Sequence, residues 1–342
     1  MSLKRVAVIG ATGYVGVELT RFLLRHPSVQ ITRLTTSQPQ GLGLRTLLPE
    51  VHAAKDYQIV PYSKDDVIQN SDVVFLCLPH TEAMQHAGSF LNAGKTVIDL
   101  SADFRLKNPA EYPVWYAVEH LAPELLAKSV YGLPEFYREQ VKKADLIANP
   151  GCYPTSVLLG LLPLVKKKLI DLKSITVSSA SGVSGAGKKP SSATHFCETH
   201  ENFFAYKVGK HQHTPEIEQI LSEGAGSALK IDFTTHLLPV NRGILSTIYA
   251  KKNQGVTEEQ VRAAYEEFYG KSLFVRLKNK GEFPALKDVQ HSNFCDLGVL
   301  LNPRTDTVTV LAAIDNLVKG AAGQAVQNFN IRFGFEEGTA LL

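Results

Sequence analysis

Over its first 150 residues the chain alternates short, nearly unbroken apolar runs with stretches whose apolar residues recur at helical spacing. Arg5–Ile9, Asp72–Leu78 and Thr96–Leu100 are almost continuously apolar, as strands are when helices cover both faces of their sheet. Between the first of these and a second strand at Gln30–Gln38, the residues Val17, Leu19, Phe22 and Leu23 mark one face of a helix. This alternation predicts an α/β unit of Rossmann type, with a doubly wound parallel sheet. Beyond residue 151 the texture changes. Ser174–Ala180 and the runs 231–237, 243–250, 273–278, 293–300 and 307–314 alternate in polarity or are rich in β-branched residues. They predict a second, α+β domain with a mixed, largely antiparallel sheet. A final helix is expected from Asp315 through Asn328, where Gly320 and Gly323 permit close packing.

The first strand runs directly into Gly10-Ala11-Thr12-Gly13-Tyr14-Val15-Gly16, which opens the first helix. Strand, glycine turn and helix in this order form a dinucleotide site. Gly10 permits the sharp turn, Gly13 lets a pyrophosphate approach the backbone, and Gly16 allows close packing of helix on strand. The spacing is a variant of the commoner Gly-x-Gly-x-x-Gly. Gly10, Thr12, Gly13, Tyr14, Val15 and Gly16 are therefore the expected cofactor contacts. The second strand ends without the acidic residue that binds the ribose 2′-hydroxyl of NAD. Arg33, Thr35, Ser37 and Gln38 offer a cation and neutral donors there, which suit the 2′-phosphate of NADP. Ligands of such sheets sit beyond the strand C-termini, so Pro79-His80 and Ser101–Arg105 should line the same crevice. Cys77, inside a strand, reads as a small core residue.

Asn149-Pro150-Gly151-Cys152-Tyr153-Pro154-Thr155 sets a cysteine between a hydrophobic stretch and an apolar helical pattern that continues to Lys168. Pro150 and Gly151 break the preceding element, and Pro154 suits a first helical turn because its missing N–H would have no partner there. The partial positive charge of a helix N-terminus favours thiolate over thiol, and the thiolate attacks carbonyls. An acid/base partner is offered by Lys210-His211-Gln212-His213-Thr214-Pro215. If that segment is extended, its two histidines face opposite ways and only one addresses Cys152. The glycine-rich loop Ser181–Lys189 reads equally as an anion cradle or a flexible hairpin. No cysteine pair supplies zinc spacing, and no metal is expected.

Composition narrows the classes. With 342 residues and 44% hydrophobic content the chain is long enough for two cores. A net charge of +3 gives no basic stripe for nucleic acid and no membrane-attracted face. The start Met-Ser-Leu-Lys-Arg lacks the apolar region of a signal peptide, and no apolar run reaches membrane-spanning length. Cys77, Cys152, Cys197 and Cys295 lie far apart, so free thiols in a cytoplasmic setting are expected.

Five motifs together resemble the N-acetyl-gamma-glutamyl-phosphate reductases of arginine biosynthesis, within the semialdehyde dehydrogenase superfamily. They are the glycine turn Gly10–Gly16, Asp99–Arg105, Tyr131-Gly132-Leu133-Pro134-Glu135, Asn149–Thr155 and His211–Ile217. The resemblance spans essentially the whole chain. It implies residues 1–150 as an NADP-binding Rossmann domain, completed by the C-terminal helix 315–342. It implies 151–314 as the catalytic, substrate and oligomerisation domain, in a homodimer or homotetramer. The implied nucleophile is Cys152 and the implied acid/base is His211. Coenzyme contacts are extended to Ser37, Pro79, Ser181, Gly182 and Asn316. Ser101, Arg105, Ser184 and Lys188 are expected to bind the acyl phosphate substrate and inorganic phosphate, with Arg242 a weaker candidate. Two departures stand out: Ser156 where glycine or alanine is usual, and Thr81 where glycine is common. The implied chemistry is NADPH-dependent reduction through a cysteine thioester. Within the enzyme class the alternatives are aspartate-semialdehyde and N-acetyl-aminoadipate-semialdehyde dehydrogenases. From another class, an NADP-binding redox sensor would use Cys152 as an oxidisable thiol, although no resolving cysteine lies near it in sequence.

Overall fold

A computed structural model describes residues 3–342. The chain divides into two compact units, one running to Gly151 and resuming at Ala321–Leu342, the other Cys152–Gly320.

In the first unit the strands are β1 (Lys4–Ile9), β2 (Val29–Thr36), β3 (Leu42–Gly43), β4 (Gln58–Pro61), β5 (Val73–Leu76), β6 (Thr96–Asp99), β7 (Val130–Tyr131) and β8 (Leu146–Ala148). They form one sheet in the order β3-β4-β2-β1-β5-β6-β8-β7, parallel apart from the β3–β4 pair. The chain leaves β1 on one side through β2 and β4, then resumes on the other at β5. The gap between β1 and β5 is therefore the switch point where ligands of doubly wound sheets bind. Val73–Leu76 and Thr96–Asp99 are buried throughout, as strands of a sheet covered on both faces are.

In the second unit the strands are β9 (Thr176–Gly182), β10 (Phe204–Tyr206), β11 (Asp232–Leu238), β12 (Ile244–Lys251), β13 (Val275–Leu277), β14 (Cys295–Asn302) and β15 (Thr307–Ile314). Their order is β10-β11-β9-β12-β15-β14-β13, with β11–β9 and β13–β14 parallel and the other pairs antiparallel. The helix Cys152–Lys166 packs on one face of this sheet. Gly160 brings it close: a β-carbon there would lie 2.9 Å from Cδ1 of Ile248. Pro163 lies inside the helix and has no N–H for the Leu159 carbonyl, and the Tyr269 hydroxyl takes that carbonyl at 2.6 Å.

The last element departs from the expected helix at Asp315–Asn328. Asp315 turns the chain by accepting the N–H groups of Leu317 (2.8 Å) and Val318 (3.1 Å), and a π-helical turn, Val318–Ala322, follows. The α-helix proper is Gly323–Phe333, ended by Gly334 in left-handed conformation at φ +71°. Residues 315–320, read from the sequence with the cofactor domain, lie in the second unit. Among the described residues no helix is long and apolar enough to cross a membrane.

Candidate active site

In the first unit the glycine turn has the shape its spacing requires. Gly10 has φ +82°, and a β-carbon there would collide with the Cys77 carbonyl. One on Gly16 would press to 2.8 Å from Cα of Ala11, whereas one on Gly13 would find only the Gly10 carbonyl oxygen, at 3.7 Å. Gly13 is thus bare toward open space. The helix Tyr14–Leu23 has Gly13 at its cap, no capping side chain and no acid in its first turn. Its N-terminal N–H groups and dipole are left for an anion, so the residues fit a dinucleotide pyrophosphate. Thr12 and Thr36 approach to 3.5 Å between hydroxyls, and Ser37 and Tyr14 are exposed. Arg33, expected near a 2′-phosphate, is paired with Asp66: its Nη2 donates to Oδ1 at 2.7 Å and its Nε to Oδ2.

The loops after β5 and β6 are tied together. Asp103, 1% exposed, accepts the N–H of Thr81 at 2.6 Å and of Met84 at 2.9 Å. Ala102 donates its N–H to Nδ1 of His80 at 3.1 Å. Thr81 has φ +75°, a conformation that costs a β-branched residue about 1–3 kcal/mol and explains why glycine suits this position. Ser101 spends its N–H and its hydroxyl on the two oxygens of Asp99, each at 2.9 Å. Burial, and then the charge of Asp103, push the Asp99 carboxyl above the ordinary carboxylate range. Arg105, 4% exposed, donates to the carbonyls of Asn149 (2.8 Å) and Leu100 (3.0 Å). It thereby braces the segment that leads to Cys152. Asn149, which heads the cysteine motif, accepts from Asn328 at 3.1 Å and donates to the Ala321 carbonyl at 3.1 Å. Cys77 lies one residue beyond the end of β5 and is only half-buried, so it is not the strand core residue expected; its carbonyl backs Gly10.

In the second unit Cys152 is the first residue of a 15-residue helix. Tyr153, the next residue, is 2% exposed and stands edge-to-face against His211 with centroids 5.3 Å apart. Its hydroxyl lies 2.9 Å from that of Tyr206 and donates to the His236 carbonyl at 3.3 Å. Burial pushes both phenols up, Tyr206 to about 12. Tyr206 carried no local signal, because its strand has only three residues.

The two histidines are not on opposite faces of an extended segment. Residues 211–213 form a turn into the helix Thr214–Ala225, in which the His211 carbonyl accepts the Thr214 N–H at 2.9 Å. The histidine rings lie 4.8 Å apart, and His213 also reaches Tyr153, at 5.9 Å. Nδ1 of His211 accepts the N–H of His213 at 3.1 Å, which puts the proton of the neutral ring on Nε2.

The remaining candidates divide. Ser184, Asn316 and Gly243 form a brace: the Ser184 hydroxyl donates to the Asn241 carbonyl at 2.6 Å, Asn316 donates to Ser184 at 3.0 Å and accepts the Gly243 N–H at 2.8 Å. Ser181 donates to the Gly182 carbonyl at 3.0 Å, and a β-carbon on Gly182 would lie 2.6 Å from the Asn241 carbonyl oxygen. Lys188 is exposed on the loop beyond the 3₁₀ turn Val183–Ala186, so this loop is not a hairpin between neighbouring strands. Arg242 faces the buried Asp315 at 3.5 Å. Ser156, one turn into the helix that Cys152 begins, joins Ser246 at 2.7 Å, and Ser246 joins Ser179 at 2.7 Å. Among the described residues no three His, Cys, Asp or Glu side chains gather as a metal site would need.

Comparison with known proteins follows this division. Residues 5–144 match the family described as semialdehyde dehydrogenase, NAD binding domain, and residues 152–316 the semialdehyde dehydrogenase dimerisation domain. The chain is 49% identical over 337 residues to the N-acetyl-gamma-glutamyl-phosphate reductase of Desulforamulus reducens, covering 98% of this chain and 97% of that protein. The reductase of the same name from Pelotomaculum thermopropionicum gives the same identity and coverage. Among solved structures, aspartate semialdehyde dehydrogenase II of Vibrio cholerae, complexed with ASA, superposes with a TM-score of 0.73 at 17% identity, covering 98% of this chain and 99% of that one. The Candida albicans aspartate semialdehyde dehydrogenase with NADP gives 0.72 at 19% identity, covering 96% and 98%. At such identity these structures share the fold.

Proposed function

The chain belongs to the N-acetyl-gamma-glutamyl-phosphate reductase family, and from that premise we propose that it reduces N-acetyl-L-glutamyl 5-phosphate to N-acetyl-L-glutamate 5-semialdehyde, with release of phosphate, in arginine biosynthesis. The observation that carries the reading is Cys152 at the head of a buried helix, with the His211 ring packed on the adjoining Tyr153.

Cys152, as thiolate, attacks the acyl carbon; the carbon–oxygen bond to phosphate breaks, and a thioester to Cys152 remains. The nicotinamide coenzyme, when bound, supplies the hydride that reduces this carbon. Cys152 then leaves as thiolate when the resulting oxyanion collapses to the aldehyde. The helix dipole at Cys152 stabilises the thiolate at both stages. His211 donates from Nε2 to the oxyanion, a role that suits the neutral ring, since an imidazolium would have to give up the His213 N–H.

NADPH is the proposed coenzyme. Gly10, Thr12, Gly13, Tyr14, Val15 and Gly16 cradle its pyrophosphate, and Pro79 lines the other side of the switch point. Ser37 and Gln38, beyond the end of β2, are assigned to the 2′-phosphate because Arg33 is engaged with Asp66. Ser181, Gly182 and Asn316 contribute through a backbone that their own bonds hold rigid. Lys188, exposed on its glycine-rich loop, is proposed with Ser101, Arg105 and Ser184 for substrate anion binding. Ser101, Arg105 and Ser184 contribute mainly by holding their loops, given the bonds they already make.

The oligomer is proposed to be a homodimer, or a tetramer built from two. Ile248 and Val310 face the helix Cys152–Lys166, so strand alternation turns Tyr249 (44% exposed) and Leu300 (39% exposed) to the other face, which a second copy would cover. Free thiols and a biosynthetic role suit the cytoplasm.

The test is phosphate-dependent reduction of NADP by N-acetyl-glutamate 5-semialdehyde, run beside the aspartyl and aminoadipyl analogues. Cys152→Ser should keep NADPH binding and lose turnover. Coenzyme binding with no turnover by the unmodified chain would favour a redox sensor.

A further inference from the structure

The loop after β5 forms the second lip of the β1/β5 switch point, opposite the glycine turn, and contact between the lips is direct. Cys77 donates its N–H to the Ile9 carbonyl at 2.8 Å, and Gly10 can lie on the Cys77 carbonyl only because it has no β-carbon. Four residues further on, Thr81 holds φ +75° and Pro79 and His80 are exposed at the rim. A threonine does not adopt this backbone by preference. It is held there from the neighbouring loop, where the buried carboxylate of Asp103 takes the N–H groups of Thr81 and Met84 on its two oxygens. Asp103 is itself fixed: its N–H donates to the Ser101 hydroxyl at 3.1 Å, and its carbonyl accepts the Tyr112 hydroxyl at 2.5 Å and faces His120 Nε2 at 2.7 Å.

We infer that Asp103 is a positioning residue for the coenzyme: it holds the Pro79–Thr81 lip, through the strained Thr81 backbone, in the shape that the dinucleotide meets. The inference rests on the reading that the first unit binds NADPH. It follows from hydrogen-bond chemistry that only a carboxylate accepts both N–H groups here. Asparagine keeps one acceptor and turns an NH2 toward the second, which leaves the left-handed turn without its second bond. Glycine at position 81 adopts that turn without being held, so it relieves the demand on Asp103.

The test is fluorescence titration of NADPH into the full chain and its variants, with iodoacetamide alkylation of Cys152 as a second readout. Asp103→Asn should raise the NADPH Kd by about tenfold or more while Cys152 alkylates at the unmodified rate. Adding Thr81→Gly to Asp103→Asn should recover most of the lost affinity, which a general loss of stability would not do. An Asp103→Asn chain with unchanged Kd, or one that Thr81→Gly does not rescue, overturns the inference. If Asp103→Asn does not fold, hydrogen exchange of the unmodified chain decides: the Thr81 and Met84 amides should be protected without coenzyme, and rapid exchange at both overturns it. An unmodified chain that binds no NADPH overturns the functional reading and this inference together.

Discussion

Gly320 lies against Cys152 so closely that a β-carbon on the glycine would stand 2.8 Å from Cβ of the cysteine and 3.2 Å from its Cα. The π-helical turn Val318–Ala322 creates this approach: Gly320 donates its N–H back to the Asp315 carbonyl at 2.9 Å, the wider spacing of a π turn. Gly320→Ala should therefore displace Cys152, at an overpacking cost of about 1–3 kcal/mol. Turnover should fall at least about tenfold, and Cys152 should alkylate at a changed rate. Turnover within a factor of two of the unmodified chain would show that the contact has no part in catalysis.

The turn at 211–213 makes the two histidines distinguishable. His211→Asn should slow turnover by about 100-fold and alter the acid limb of the pH–rate profile, because the donor role requires the neutral ring that accepts the His213 N–H. His213→Asn keeps the backbone N–H that orients His211, so it should cost less. Should His213→Asn show the larger loss and the altered profile, the proton donor is His213.

Ser37 is exposed one residue beyond β2, where an acidic residue would select against a 2′-phosphate. Ser37→Asp should raise the KM for NADPH by about tenfold or more through like-charge repulsion and leave that for NADH unchanged or lower. Steady-state assays with both coenzymes decide. An unaltered NADPH KM would remove Ser37 from the site.

Asp99 gives a stability prediction with a definite sign. Burial, then Asp103, raise its pKa in the folded chain, so the folded state binds more protons than the unfolded state between the ordinary carboxylate value and the raised one. Stability attributable to this group is greatest below that window and falls as pH climbs through it. Asp99→Asn keeps a polar partner for Ser101 and removes the charge. It should flatten this part of the stability profile and gain most above the window, measured by urea unfolding across pH. A profile as steep as that of the unmodified chain would place the titration elsewhere.

Local signals were read from the chain where the physics is local. Strand runs with unbroken or alternating polarity fell where expected, to within a few residues, at Lys4–Ile9, Thr96–Asp99 and Thr307–Ile314. The short strands Leu42–Gly43, Val130–Tyr131 and Phe204–Tyr206 escaped, since two or three residues carry no period and take their shape from a neighbour. Arg33 looked like a phosphate ligand because nothing near it in sequence identifies Asp66, 33 positions away, as its partner.

By itself, then, the sequence determined the order of elements, the bare glycine turn after β1 and a cysteine heading a helix. Each follows from φ freedom, a missing N–H or a repeat within about ten residues. The tertiary structure decided what surrounds them: Gly320 on Cys152, Asp103 on Thr81, and a turn that gathers His211 and His213 beside Tyr153. These depend on contacts between residues distant in the chain, which only the packing of the sheets and their loops brings together.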